Sequence, residues 1–171
     1  MRAALAAVVL ALAAPAAAQT LTVEGFAGPP RALAVAELGA LPRREVVLTE
    51  DGGPHRYEGP LLAYVLRQAG LPMGARLHGD PLKAALVVTG ADGFQAVYSL
   101  AEVDADFHDD VVILADRVDG APLPAKRAPW RIVSSGDRKG WRAVYAVSKI
   151  EVRPLGAPAA APAAHEGHGD H

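Results

Sequence analysis

From Leu21 onward, apolar and polar positions fall into short runs broken by Gly and Pro, and these runs predict the elements. Residues 21–24 alternate and read as a strand ending at Gly25. Residues 35–41 read as a helical turn closed by Pro42, and 45–49 as a second strand. Asp51-Gly52-Gly53-Pro54 then signals a turn into His55-Arg56-Tyr57. After Gly59-Pro60, the residues Leu61, Leu62, Val65, Leu66 and Ala69 keep helical spacing. Pro60 suits the first helical position and Gly70 the C-terminal end. Leu86-Val87-Val88 and Ala96-Val97-Tyr98 flank Ala91-Asp92-Gly93 and predict a hairpin. The continuous apolar run 111–115 predicts a buried strand, and 131–133 and 143–152 supply the last two. Strands dominate, helices are short and hairpins are local. The expected class is therefore α+β, with mixed or antiparallel sheets, rather than a doubly wound sheet. No internal repeat is visible.

Composition narrows the picture. The chain has 171 residues, 17 Lys+Arg against 19 Asp+Glu, and no cysteine. That length suits one domain. A net charge of -2 leaves no electrostatic footprint for nucleic acid or an anionic membrane surface. The absence of Cys removes disulfides, thiol nucleophiles and thiolate-held metals.

Both ends differ from the middle. Met1-Arg2 is followed by an apolar run from Ala3 to Ala14, then Pro15 and Ala16-Ala17-Ala18 before Gln19. This is the pattern of a Sec-type signal peptide (1–18), cleaved after Ala18, and it is too short to span a bilayer. A single Arg precedes the apolar run, so no twin-arginine signal is present. The mature protein is expected in the periplasm or secreted, as a domain over 19–155, not membrane-spanning after cleavage. Residues 156–171 open with GAPAAAPAA, a Pro/Ala linker, and end in a His-rich stretch. There His165, His168, Asp170 and His171 are candidate ligands for a divalent transition metal such as Zn²⁺, Cu²⁺ or Ni²⁺.

Within the domain, no nucleophile elbow, dinucleotide fingerprint, P-loop or zincin helix occurs. The acidic cluster Asp104, Asp106, His108, Asp109 and Asp110 lacks EF-hand spacing and reads as a polar turn before the buried strand, with Phe107 packed inward. His55 and His78 are isolated and read as surface loop residues rather than ligands. The segment 129–142 is richer. It sets Arg131, Arg138, Lys139 and Arg142 around a Ser134-Ser135-Gly136-Asp137 turn, with Trp130 and Trp141 at its flanks. Guanidinium groups, hydroxyls and backbone amides together can seat an oxyanion or phosphate. The alternative is a solvated hairpin whose Trp residues are core and whose Arg131 pairs with a carboxylate such as Asp116.

The order of segments resembles the sulfite-oxidase-type molybdopterin-binding domain, in its small exported form. The pieces are Leu21-Thr-Val-Glu-Gly25, the strand to Thr49, Tyr57-Glu-Gly-Pro-Leu-Leu62, Ala69-Gly-Leu71 and Ala91-Asp-Gly-Phe94. They continue with Val112-Ile-Leu-Ala-Asp116, Asp119-Gly-Ala-Pro-Leu123, Pro129-Trp-Arg-Ile-Val-Ser134 and the stretch from Trp141 to Ile150. The resemblance implies that fold and places Arg131, Ser134, Ser135 and Arg138 near the pterin phosphate, with molybdopterin as the implied cofactor. It also implies a metal-ligating cysteine after the second strand. Here that neighbourhood reads Leu48-Thr49-Glu50-Asp51. Neither a hydroxyl nor a carboxylate donates like a thiolate.

Three functions follow as expectations. The first is a non-catalytic periplasmic module that binds a small anion or a partner protein in the family cleft. The second is a molybdopterin oxidoreductase with an unusual ligand set. The third is a metal-handling protein acting through the His-rich end.

Overall fold

A computed structural model describes residues 19–26, 28–50 and 52–155. The signal segment, the Pro/Ala linker and the candidate metal ligands His165, His168, Asp170 and His171 lie outside the described residues. The fold is α+β, built among the described residues from three sheets and two short α-helices. The first sheet holds β1 (Thr20–Glu24) and β2 (Arg31–Ala34), an antiparallel pair. Helix α1 (Val35–Gly39) leads to β3 (Arg43–Glu50) and β4 (Gly53–Pro60), an antiparallel hairpin in a different sheet. Helix α2 (Leu62–Gln68) follows, and then β5 (Ala84–Gly90) and β6 (Gln95–Ser99) return to the first sheet. Strand β7 (Val112–Ala115) opens the central pair. The small hairpin β8 (Arg117–Val118) and β9 (Ala121–Pro122) joins the edge of β4. Strand β10 (Arg131–Ser134) pairs antiparallel with β7, and β11 (Val147–Pro154) enters the first sheet between β1, parallel, and β5, antiparallel. The sheet orders are β2-β1-β11-β5-β6, β10-β7 and β3-β4-β8-β9. Among the described residues no helix is long and apolar enough to cross a membrane.

The β7–β10 pair is the middle layer. Val112, Leu114 and Ile132 point into the larger core with Leu21, Leu86, Ile150 and the α2 residues Leu62, Val65 and Leu66. Their neighbours Ile113, Ala115 and Val133 point the other way, into a smaller core with Val46, Leu48 and Tyr57 of the β3–β4 hairpin. A strand buried on both faces has no solvent face to mark with polar residues, which is why 111–115 shows no alternation. Gly59 lets β4 cross β7 closely: a Cβ there would collide with the Leu114 carbonyl and the Ala115 Cα, both backbone.

Several boundaries depart from the sequence reading. Pro60 does not start α2; it ends β4 opposite Arg43, and Leu61 stays extended because its N–H donates to the Pro42 carbonyl. Gly70, at φ +95°, does close α2 in the left-handed region. The strand expected over 143–152 begins only at Val147, after Ala146 takes φ +45°. Phe107 is half exposed rather than packed inward, since the acidic stretch is held by Asp104 instead. The buried Asp104 carboxylate accepts the Gly74 N–H at 2.5 Å and the Asp106 N–H at 3.1 Å.

Candidate functional site

The segment 129–142 puts one end in the interior and the other in solvent. Trp130 is buried in the larger core, whereas Trp141 is 81% exposed. Between them, β10 carries Arg131 into the structure, and its side chain is 0% exposed. A buried guanidinium needs partners. It finds Glu50, the last residue of β3, through Nη2–Oε1 at 2.8 Å and Nη1–Oε2 at 3.1 Å. It also donates to the Tyr57 hydroxyl, and it stacks over the rings of Tyr57 and Tyr145, at 4.6 and 4.5 Å from their centroids. Arg127 reaches the same cluster. Its Nη1 donates to the Tyr57 oxygen at 2.7 Å and to Glu50 Oε2 at 3.4 Å, and its guanidinium lies 5.0 Å from the Tyr145 ring centroid. Arg131 Nε is buried without a hydrogen-bond partner.

The electrostatics follow from this arrangement. Hydrogen bonds from Arg131, with smaller contributions from Tyr57 and the nearby guanidinium charges, outweigh burial and hold the Glu50 carboxyl at about 2. Burial, reinforced by Glu50, pushes the Tyr57 hydroxyl up to about 12, so it keeps its proton and donates a hydrogen bond to Glu50 Oε2 at 2.5 Å. Two guanidiniums thus share one carboxylate. The cluster carries an unmatched positive charge.

Above it lies a cleft of about 430 Å³ lined by Thr49, Glu50, Arg138, Lys139, Gly140, Trp141 and Tyr145. Gly140 lets the 140–142 turn sit directly over the ion pair, because a Cβ there would press on Leu48 and on Arg131 Nη2. Arg138 and Lys139 enter no ion pair among the described residues, and Lys139 Nζ lies 4.9 Å from the Trp141 ring centroid. Arg142 is different: it is tied to Asp137 and Glu102 and stacks on Tyr98.

The residues expected near a pterin phosphate are therefore distributed. Arg138 lines the cleft. Arg131 lies under it, paired with Glu50 and not with Asp116, whose oxygens are taken by Arg43 at 2.6 and 3.0 Å. Ser134 and Ser135 are not in the lining. Ser134 is buried and its Oγ accepts the Gly136 N–H, while Ser135 Oγ accepts the Val111 N–H at 2.8 Å and ties the turn to Asp110. Among the described residues no group of three or more His, Asp or Glu is placed to hold a metal ion. Glu50, Tyr57, Arg127 and Tyr145 are the members that sequence reasoning did not select. Glu50 alone carried a signal, as a carboxylate in the Leu48–Asp51 stretch where the resemblance implies a cysteine.

No family model and no curated protein sequence matches the chain. Among solved structures the fold is similar to the crystal structure of the sulfane dehydrogenase SoxCD from Paracoccus pantotrophus, at 19% identity and a TM-score of 0.61. The match covers 78% of this chain and 38% of that one, so the chain spans well under half the length of the protein it resembles. The likeness shows a shared α+β fold.

Proposed function

We propose that this chain is an exported module that binds an anion in the cleft over Glu50, and that it does not perform molybdenum redox chemistry. The observation carrying this reading is the charge count. Arg127 and Arg131 share a single carboxylate at the floor, and Arg138 and Lys139 add two cations on the wall with no ion pair among the described residues. An unmatched charge at a partly buried site is costly, and an entering anion offsets that cost. A thiolate-held molybdenum centre does not fit these residues. The chain contains no cysteine, and both oxygens of Glu50, at the end of β3, are already occupied by Arg131, Arg127 and Tyr57. Export rests on the apolar run before Ala18, and a mature N-terminus at Gln19 is its direct check.

Titration of sulfate, phosphate and acetate by calorimetry tests the cleft. Wild-type protein binds an oxyanion, and Arg138→Ala/Lys139→Ala weakens it by roughly tenfold to a hundredfold, as expected for charge-assisted contacts. Equal affinity in the two proteins overturns the reading. Elemental analysis of protein purified from its native source gives molybdenum well below one atom per chain; a one-to-one content refutes the non-catalytic assignment.

A further inference from the structure

The cleft is continuous with a free sheet edge. Among the described residues strand β3 ends its sheet, with only β4 beside it. On β4, the Arg56 and Glu58 carbonyls accept the Asp119 and Asp116 N–H groups, so these residues face away from β3. His55, Tyr57 and Gly59 therefore face it, and their partners across the ladder are Leu48, Val46 and Arg44. Glu45, Val47 and Thr49 turn their N–H and C=O groups outward, and among the described residues nothing pairs with them. Val47 is 53% exposed on this edge, and Thr49 is both the last outward residue and part of the cleft lining. A chain laid along β3 therefore runs into the space between Arg138, Lys139 and the exposed Trp141. At the far end of β3, Arg43 is countered by Glu58 and Asp116, and Glu45 pairs with Arg56. This leaves Arg44 as the one cation there without an ion pair among the described residues, whereas at the cleft end both Arg138 and Lys139 lack one.

We infer that the cleft and the β3 edge form one docking surface for an extended acidic segment of a partner protein, which adds a strand to β3 and places a carboxylate side chain beside Arg138 and Lys139. This rests on the anion-binding reading and names what carries the anion. Main-chain pairing supplies affinity in such strand addition, and the flanking pocket selects the side chain. At about 430 Å³ the cleft has room for a carboxylate side chain. Exposed Trp and Arg are the residue types that dominate interface energetics.

The test uses a capped peptide, Glu-Glu-Thr-Val-Thr-Val-Thr-Glu-Glu, whose acidic ends present a carboxylate to the cleft in either strand direction. Binding of this peptide and of sulfate is measured on wild type, Val47→Pro and Arg138→Ala/Lys139→Ala. Pro is tolerated on an edge where the lost N–H faces outward. The expected result is peptide binding that Val47→Pro weakens about tenfold or more with sulfate affinity unchanged, while the double variant weakens both. Amide exchange at Glu45, Val47 and Thr49 also slows in the wild-type complex. Sulfate binding without peptide binding overturns the strand-addition inference and leaves the anion cleft standing; loss of both removes both. Unchanged exchange at those amides overturns the inference even if Val47→Pro fails to fold. A native dimer that Val47→Pro converts to monomer overturns it too, because the edge then belongs to a second copy of this chain.

Discussion

Replacing Arg131 by Ala should be among the most damaging single changes in the domain. The substitution leaves the Glu50 carboxylate, only 16% exposed, with Arg127 at 3.4 Å as its remaining cation. Tyr57 and Tyr145 lose the guanidinium stacked on them, and a buried space opens under Gly140. Removing one partner of a buried ion pair typically costs about 3–5 kcal/mol, and the surviving Arg127 contact argues for the lower end. The depressed Glu50 carboxyl, whose largest cause is the same Arg131 contact, gives a figure of the same size. A carboxyl held at about 2 rather than at its ordinary 4.5 corresponds to about 3 kcal/mol. The folded state lowers this value, so the contribution is fully present above pH 4.5 and is lost as pH falls from there toward 2. Urea unfolding at pH 7 and at pH 3 measures both quantities. Arg131→Ala should be about 3 kcal/mol less stable at pH 7, and the gap to wild type should narrow markedly at pH 3. Arg131→Lys should recover little, because a single ammonium cannot reproduce the fork that engages both oxygens of Glu50. A loss below about 1 kcal/mol at pH 7, or a gap that does not shrink with acid, would falsify the assignment of the Glu50–Arg131 pair as the clasp of the smaller core.

Two further predictions follow from particular residues. Gly59→Ala places a methyl against the Leu114 carbonyl, so β4 must lift off β7; the protein should lose at least about 3 kcal/mol in urea unfolding or fail to accumulate, and a change within 0.5 kcal/mol, about the scatter of a surface substitution, refutes that packing. The His-rich end should take up one divalent transition metal through His165, His168 and His171 without stabilising the domain. Deleting 156–171 then abolishes Zn²⁺ uptake by equilibrium dialysis while chelator leaves Tm unchanged, and a large fall in Tm on chelation shows instead that the metal is structural.

How far the sequence disclosed this structure depends on the range of the interactions. Helix α2 and the β5–β6 hairpin are local: spacing, Gly70 and the Asp92-Gly93 turn state them within a dozen residues. The β8–β9 hairpin is equally local but escaped, because two-residue strands offer no alternation to detect. Strand β2, four residues that start directly after Pro29-Pro30, escaped because Arg31-Ala-Leu-Ala34 is too short to show alternation. The candidate site divides along the same line. The basic segment 131–142 is visible as a cluster, but its meaning turns on Glu50, 81 positions earlier in the chain, and on Tyr57 and Tyr145. No spacing rule links those positions. Only the stacking of β3 and β4 on β10 brings them together. Trp130 and Trp141 make the point at shorter range: they are two identical residues eleven positions apart, and only the layer order decides that one is core and the other a cleft wall.

That layer order also explains why the cleft lies where it does. The smaller core contains few side chains, and β10 enters it at Arg131, opposite Ala115, where the β3–β4 hairpin ends and no further apolar residue arrives to close it. The opening is sealed by charge rather than by hydrocarbon. Glu50 from β3 meets Arg131 from β10, and the Tyr57 and Tyr145 rings wall them in. Sealing with a bidentate ion pair alone would leave the site neutral. The approach of Arg127 makes it cationic, because its nearest acceptors, Glu50 and the Tyr57 hydroxyl, are already engaged by Arg131. The positive potential of the cleft is in this sense a consequence of how the smaller core is closed. An anion that entered would bind only the folded arrangement, since neither the convergence of Arg127 and Arg131 on Glu50 nor the Arg138–Lys139 wall exists in the unfolded chain. Its affinity would then add directly to the stability of the domain.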